Sequence, residues 1–281
     1  MTAQAKLAAV LGWPVSQSLS PVLHSFWLKQ HRINGAYVAL PIAPAHFGQC
    51  VAALPLMGFA GANVTVPHKE AAFALTSSHD DDARATGAVN TLIFNGDSIA
   101  GLNTDVRGFE ASLSETLGKD AVRGRAVTVL GAGGAARAVI LALRRAGSAE
   151  IRVINRTPAR SETLQRSMPN DGGVRAMKWG DWKSGLAGVG LLVNTTSLGM
   201  TGKPPMEIEL DALPRDAAVA DIVYNPLETQ LLRAARARGH RTMDGLGMLM
   251  HQAVPAFAAW FGVTPKVTLQ LRTELERALG G

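Results

Sequence analysis

The stretch VTVLGAGGAARAVILALRRAG, residues 127–147, reads as a buried strand, a tight glycine turn and a helix. Ala126 to Leu130 is a short apolar run, and Gly131-Ala132-Gly133-Gly134-Ala135-Ala136 follows it in the pattern G-x-G-x-x-A. The helical pattern then stops at Gly147, a suitable C-terminal residue. The first glycine permits the tight turn, the second lets backbone approach a pyrophosphate, and the small Ala136 lets helix and strand pack closely. Free N–H groups at the helix start face the anion. A second strand, Glu150 to Ile154, arrives at the spacing of a βαβ unit. That context makes Gly131, Ala132, Gly133, Gly134 and Ala135 candidate dinucleotide contacts rather than a turn without a ligand.

Where an NAD enzyme usually carries Asp or Glu, roughly 20 residues past the turn, this chain has Asn155-Arg156-Thr157. A carboxylate there would repel a 2′-phosphate, whereas Arg156 binds one by charge-assisted hydrogen bonds. Thr157 and Arg160 stand close by. Asn155, Arg156, Thr157 and Arg160 therefore point to NADP, against the alternative of a solvated surface charge at Arg156. Further on, Asn194-Thr195-Thr196-Ser197 ends the apolar run Gly190 to Val193. A doubly wound sheet presents its ligand edge at such a place, so Thr195 either borders the cofactor or belongs to a satisfied strand-to-loop turn.

The glycine turn begins only after residue 130 of 281, and a chain of this length is expected to form two domains. Hydrophobic content of 47%, charged content of 18% and a mean hydropathy of +0.11 exclude a disordered chain. No run approaches the roughly 20 apolar residues that span a bilayer. Leu7 to Leu11 follows Lys6, but Gly12-Trp13-Pro14 interrupts it before a signal-peptide core forms; it reads as a first strand. The single cysteine, Cys50, rules out an internal disulfide, suits a cytoplasmic location and is expected to be buried and inert. The net charge of +6 raises nucleic acid as a partner. The basic residues are dispersed among alanines, however, as at Arg233, Arg236, Arg238 and Arg241, and no nucleic-acid motif is present. Attraction of small anionic ligands accounts for the charge.

The first hundred residues alternate strands and helices of their own. The patterns predict strands at 7–11, 36–41 and 60–66, and helices at 20–32, 44–56 and 67–75, with Pro21, Pro44 and Pro67 opening the helices. Residues 89–102 read as a hairpin around Asn95-Gly96-Asp97. A helix from Asp105 to about Leu117 leads to the glycine-turn unit, and helices at 246–261 and 265–279 close the chain.

Three places in this first part carry more polar groups than folding needs. In Ser16-Gln17-Ser18-Leu19-Ser20-Pro21, Ser20 is the natural helix cap, which leaves Ser18 either functional or part of a hydroxyl-rich turn. In Asn63-Val64-Thr65-Val66-Pro67-His68-Lys69, alternation sets Asn63 and Thr65 on one face of a strand and the valines on the other. That polar face ends at Lys69. The third place pairs Val89-Asn90-Thr91 with Asn103-Thr104-Asp105 across the hairpin. Asp105 also stands where a helix N-terminus stabilises a carboxylate. His79-Asp80-Asp81-Asp82 lacks metal-ligand spacing and reads as a solvated helix start, so no metal is expected.

These stretches, together with Gly12-x-Pro14-Val15, Gly87-Ala88-Val89-Asn90-Thr91, Asn155-Arg156-Thr157 and Gly247-Met248-Leu249-x-x-Gln252, make the chain resemble the shikimate dehydrogenases from about Leu7 to Leu279. The resemblance implies an α/β protein of two domains. Residues 1–104, completed by 245–281, would bind substrate, and a Rossmann-like domain at 105–244 would bind NADP. It implies reversible NADPH-dependent reduction of 3-dehydroshikimate to shikimate, in aromatic amino-acid biosynthesis. Ser18 and Ser20 would then hold the substrate carboxylate with Tyr224 near it, while Asn63, Thr65, Asn90, Asp105 and Gln252 would bind ring hydroxyls. Gly245 joins the implied cofactor contacts. Lys69, with Asp105 beside it, would carry the proton that must reach the nascent alkoxide. The small-molecule substrate leaves no role for nucleic acid or membrane, and a monomer or homodimer is expected. A quinate dehydrogenase, or a ligand sensor on the same scaffold, remains open at this level; a sensor has no need of the Lys69 and Asp105 pair.

Overall fold

A computed structural model describes residues 4–96, 98–168 and 173–280, and it separates into two compact units, Met1–Asp105 with Leu249–Gly281, and Val106–Met248. In the first, the alternating pattern becomes β1 (Lys6–Gly12), α1 (Ser20–Gln30), β2 (Gly35–Pro41), a 3₁₀ turn at Pro44–His46, α2 (Phe47–Leu56), β3 (Phe59–Val64), α3 (Lys69–Leu75), β4 (Ser78–His79), α4 (Asp81–Thr86), β5 (Thr91–Asn95) and β6 (Ser98–Leu102). α5 (Asp105–Leu117) follows. The six strands form one sheet in the order β2-β1-β3-β5-β6-β4. β1 pairs in parallel with β2 and β3, whereas β5 runs antiparallel to both β3 and β6. Leu11, Phe47, Val51, Leu54, Ala62, Val64 and Leu92 fill the core on one side.

The second unit contains β7 (Ala126–Leu130), α6 (Gly134–Arg145), β8 (Glu150–Asn155), α7 (Pro158–Ser167), β9 (Val174–Lys178), α8 (Trp182–Leu186), β10 (Val189–Asn194), β11 (Ala218–Asp221), α9 (Gln230–Ala237) and β12 (Arg241–Met243). All pairs are parallel, in the order β12-β11-β10-β7-β8-β9. This is the doubly wound order of a Rossmann fold, which reverses between β7 and β10. Val127, Val129, Leu191 and Val193 face one apolar layer, and Leu130, Leu192 and Val219 face the other. Covering both faces explains why these strands read as unbroken apolar runs. The chain ends with α10 (Gly245–Phe261) and α11 (Leu269–Gly280).

Several local expectations change. α1 has no side-chain cap; Ser20, expected to cap it, is its first residue and donates its N–H to Ser18 Oγ at 3.3 Å, so Ser18 steadies the turn before the helix. β3 ends at Val64, which leaves Val66 63% exposed instead of in the core. Pro67 follows a cis bond and stands before α3, which opens only at Lys69. The last helix begins at Leu269, where Thr268 Oγ1 accepts from Leu271 N at 3.2 Å. Asp80 caps α4 through Ala83 N (2.7 Å), yet Asp82 is buried instead of solvated. Cys50 is half-buried. The hairpin forms as Thr91–Asn95 and Ser98–Leu102; Asp97, expected at its tip, lies outside the described residues.

Gly61 shows how α10 constrains the first sheet. A Cβ there would stand 2.0 Å from Trp260 Nε1 and 2.2 Å from the Leu92 carbonyl oxygen, the pair joined by a 3.0 Å hydrogen bond. Gly61→Ala is expected to cost about 2 kcal/mol or more, as an overpacked core does, and to lower the thermal midpoint; an unchanged midpoint would show that the Trp260 ring and the Leu92 backbone both give way freely.

Candidate active site

In the first unit, β3 and β5 run side by side with Asn63 opposite Thr91, which brings the polar ends of both strands together. Asn90, just before β5, is 2% exposed. Its Nδ2 donates to Asp105 Oδ1 (2.8 Å), Thr104 Oγ1 (2.9 Å) and Gln252 Oε1 (3.3 Å), and its Oδ1 accepts from Thr104 N (2.8 Å). Asp105 Oδ2 accepts from Lys69 Nζ. The side chains of Lys69 and Asp105 are 12% and 6% exposed, so water screens this ion pair little. The backbone also ties the parts together, because Val89 N donates to the Lys69 carbonyl at 2.9 Å. Lys69, Asp105, Asn90 and Gln252 thus form one network.

Asn63 enters differently. Its Nδ2 hydrogens go to the Asn90 carbonyl (3.2 Å) and Thr91 Oγ1 (3.1 Å), and its Oδ1 accepts from Tyr37 Oη at 2.7 Å. Both amide hydrogens are spent inside the protein. Thr65 lies beyond β3, with its methyl 2.5 Å from where a Cβ on Gly12 would be. Backbone bonds from Thr65 N to Leu11 O (2.8 Å) and from Trp13 N to Val66 O (3.0 Å) hold the start of the Ser18 loop beside it.

Sequence reasoning missed Tyr37. A buried tyrosine hydroxyl needs a partner, and Tyr37 is one of only two tyrosines in the chain, which was the available signal. His24 is fully buried and stacks on Tyr37 with ring centroids 4.0 Å apart. Neither ring nitrogen has a partner at hydrogen-bonding geometry. Burial pushes its pKa down to about 3, outweighing the nearby Asn63 amide, which favours the imidazolium.

In the second unit, Gly131 has φ +110° and a Cβ on it would stand 2.6 Å from Thr195 Oγ1, so the turn needs glycine on both counts. α6 has Gly133 at its N-cap and no side-chain cap. Its first helical bond here runs from Arg137 N to Gly133 O (3.1 Å). The N–H groups of Gly134, Ala135 and Ala136 therefore have no intrahelical partner. A Cβ on Gly133 would meet nothing within 4 Å, so open space lies over an uncapped helix start, which suits a pyrophosphate. Arg156 is exposed directly after β8, and Asn155 Nδ2 donates to the Thr157 carbonyl at 2.8 Å. Thr157 opens α7 without a side-chain cap, and Arg160 is exposed in its first turn. Thr195 Oγ1 donates to the Leu130 carbonyl at 2.6 Å, which places its loop on the glycine turn. Gly245 is buried, with the Ile222 carbonyl oxygen 2.2 Å from where a Cβ would be; close backbone approach is reason enough for glycine there. Tyr224, half-buried, also belongs to this unit.

The family of shikimate dehydrogenase substrate binding domains matches residues 10–92, and the shikimate/quinate 5-dehydrogenase family matches residues 113–199. An NADP(+) shikimate dehydrogenase of Methylobacterium radiotolerans is 52% identical over 98% of each chain. The chain belongs to the shikimate dehydrogenase family. A second relative, from Acidiphilium cryptum, is 55% identical over 95% of this chain and 94% of its own. Among solved structures, the Thermus thermophilus shikimate 5-dehydrogenase in complex with NADP(H) and shikimate is 36% identical, with a TM-score of 0.83 over 98% of each chain. A Corynebacterium glutamicum quinate dehydrogenase in complex with NAD is 29% identical, with a TM-score of 0.86 over 98% of this chain and 99% of its own. Fold alone therefore does not separate these substrates within the family.

The buried histidine makes a pH prediction. His24 has a folded pKa of about 3 against 6.5 for the free side chain, so below pH 6.5 the unfolded chain binds a proton that the native chain refuses. Its contribution is intact above that pH and is lost by about 1.4 kcal/mol per pH unit as pH falls towards 3. His24→Phe is expected to flatten the acid limb of stability in urea unfolding between pH 6.5 and 4; parallel loss in variant and wild type would refute the assignment.

Proposed function

We propose that the protein reversibly reduces 3-dehydroshikimate to shikimate with NADPH, a step of aromatic amino-acid biosynthesis. The observation that carries this reading is the Lys69–Asp105 ion pair held by Asn90, within a chain whose relatives across nearly its whole length are NADP(+) shikimate dehydrogenases. The unit Met1–Asp105 with Leu249–Gly281 takes the substrate role, and Val106–Met248 the NADP role, a division shifted by a few residues from the expected 1–104 with 245–281 and 105–244. NADPH, when bound, supplies the hydride. Lys69, as an ammonium, polarises the ketone oxygen and gives it a proton; in the oxidative direction it takes the proton back from the hydroxyl. Asp105 fixes Lys69 Nζ, and Asn90 fixes Asp105, so the proton carrier has a defined position before substrate arrives.

Ser18 and Ser20 bind the substrate carboxylate with Tyr224, and Thr65, Asn90, Asp105 and Gln252 bind ring hydroxyls. Asn63 contributes only the spare lone pair of Oδ1 and otherwise orients Thr91 and the Asn90 backbone. Gly131, Ala132, Gly133, Gly134 and Ala135 cradle the pyrophosphate, Arg156 with Asn155, Thr157 and Arg160 receives the 2′-phosphate, and Thr195 and Gly245 border the cofactor. No helix among the described residues is long and apolar enough to cross a membrane. The single cysteine supports a cytoplasmic place. Light scattering distinguishes the two assemblies we propose, monomer and homodimer.

The deciding assay is initial-rate oxidation of shikimate and of quinate with NADP⁺ and with NAD⁺. Fastest turnover of shikimate with NADP⁺ is expected, and preference for quinate or NAD⁺ would revise the specificity. Lys69→Ala is expected to lower turnover by about 10²–10⁴-fold, the share of general acid–base catalysis, in a protein that still folds but has a lower thermal midpoint, because the buried Asp105 loses its cation. Near-wild-type turnover by the folded variant removes Lys69 from the chemistry. Arg156→Ala is expected to weaken NADPH binding by about 1.5–3 kcal/mol, the worth of a hydrogen bond to a charged group, and to leave NADH unaffected. Equal weakening of both contradicts the 2′-phosphate contact.

A further inference from the structure

Asp221 has no part in the chemistry above, yet it is fully buried at the end of β11. It lies opposite Asn194, the last residue of β10. Its Oδ1 accepts from Asn194 Nδ2 (2.9 Å) and Val223 N (3.0 Å), and its Oδ2 accepts from Thr229 Oγ1 (2.8 Å). Asn194 Oδ1 in turn accepts from Thr196 N (3.0 Å) and Thr196 Oγ1 (2.8 Å). Ile222 N donates to the Asn194 carbonyl at 3.1 Å. Thr195 between them rests on Gly131, and the Ile222 and Val223 carbonyl oxygens would lie 2.2 and 2.8 Å from a Cβ on Gly245. One carboxylate therefore links the loops after β10 and β11 and, through their packing, the glycine turn and the start of α10.

Burying a carboxylate is costly unless it is hydrogen-bonded, and the Asn194 amide, the Val223 N–H and the Thr229 hydroxyl would all lose their acceptor if an apolar side chain stood here. Burial pushes its pKa up to about 7, against the Val223 N–H, the Thr229 hydroxyl and the Asn194 amide, which favour the ionised form. Oδ1 accepts its two bonds whether or not the group is charged.

We propose that Asp221 is a positioning residue for the cofactor edge: through Oδ1 it sets the backbone of Thr195-Thr196 and of Val223-Tyr224, and with them the surface that NADPH meets. The inference rests on the NADP reading above. Its test is fluorescence titration of NADPH into purified wild type, Asp221→Ala, Asp221→Asn, Thr196→Val and Leu213→Ala, with thermal midpoints for each. Leu213 is a buried core side chain of the same unit, so its truncation is a destabilised control with binding intact.

Asp221→Ala is expected to raise the NADPH Kd by about tenfold, the worth of one or two hydrogen bonds, with the KM for NADPH rising in parallel. Asp221→Asn keeps an acceptor at Oδ1 and should stay within about threefold of wild type, as a position indifferent to charge does. Thr196→Val, which removes the hydroxyl bond to Asn194 Oδ1 and the one accepted from Leu198 N, should raise Kd severalfold at a midpoint no lower than that of Leu213→Ala. Wild-type affinity in folded Asp221→Ala, or an equal rise in Leu213→Ala, overturns the proposal. Should Asp221→Ala not fold, Thr196→Val decides: unchanged affinity overturns the proposal and weakened affinity supports it. A wild type that does not bind NADPH would instead overturn the NADP reading, and the inference with it.

Discussion

Asn90 lies in the protein interior, where an unmet amide costs about 1–3 kcal/mol, and its side chain finds Asp105 and Gln252 of the candidate site together with Thr91 and Thr104 beside them. Its N–H groups reach Asp105, Thr104 and Gln252, and its oxygen receives the Thr104 backbone. The hairpin end, the start of α5 and the helix α10 are thereby held to one small group of atoms. Lys69 is placed by this arrangement at one remove, because the carboxylate it pairs with is itself held by the Asn90 amide. A flexible lysine becomes a positioned one through two hydrogen-bonded steps.

The second unit repeats the asparagine-to-aspartate contact in Asn194 and Asp221, and the difference between the two pairs is instructive. In the first, the remaining carboxylate oxygen faces Lys69, and the pair stands beside a group able to move a proton. In the second, that oxygen is taken by Thr229, whose hydroxyl also caps α9. The same contact is completed by a cation in the first unit and by a neutral hydroxyl in the second. Asn194 and Asp221 end parallel strands, where ligand sites in α/β sheets lie, whereas Asn90 precedes β5 and Asp105 opens α5.

Local patterns carried much of this into view. Gly131 to Ala136 announced a strand, turn and helix because each step depends on neighbours only: glycine for positive φ, uncapped N–H groups for an anion, and a small residue for close packing. α5 runs from Asp105 to Leu117 as its pattern indicates. Boundaries were less legible. Val66 continues the alternation of β3 in sequence, but the strand stops at Val64 and Val66 turns outward. Asp82 looks like one more solvated acid in a run of three, and only packing puts it inside.

The sequence by itself determined the α/β character, the strand–glycine turn–helix unit and the membership of a family, since each rests on residue types at short or fixed spacing. It also marked Lys69, Asn90 and Asp105 as more polar than a fold requires. Only the tertiary structure decided which of their atoms remain for a ligand. Tyr37 and Asn63 meet across 26 positions of chain, Asn194 and Asp221 across 27, and Asn90 and Gln252 across 162. A hydrogen bond is satisfied by whichever partner packing brings within reach, and strand order sets that proximity, which spacing along the chain does not encode.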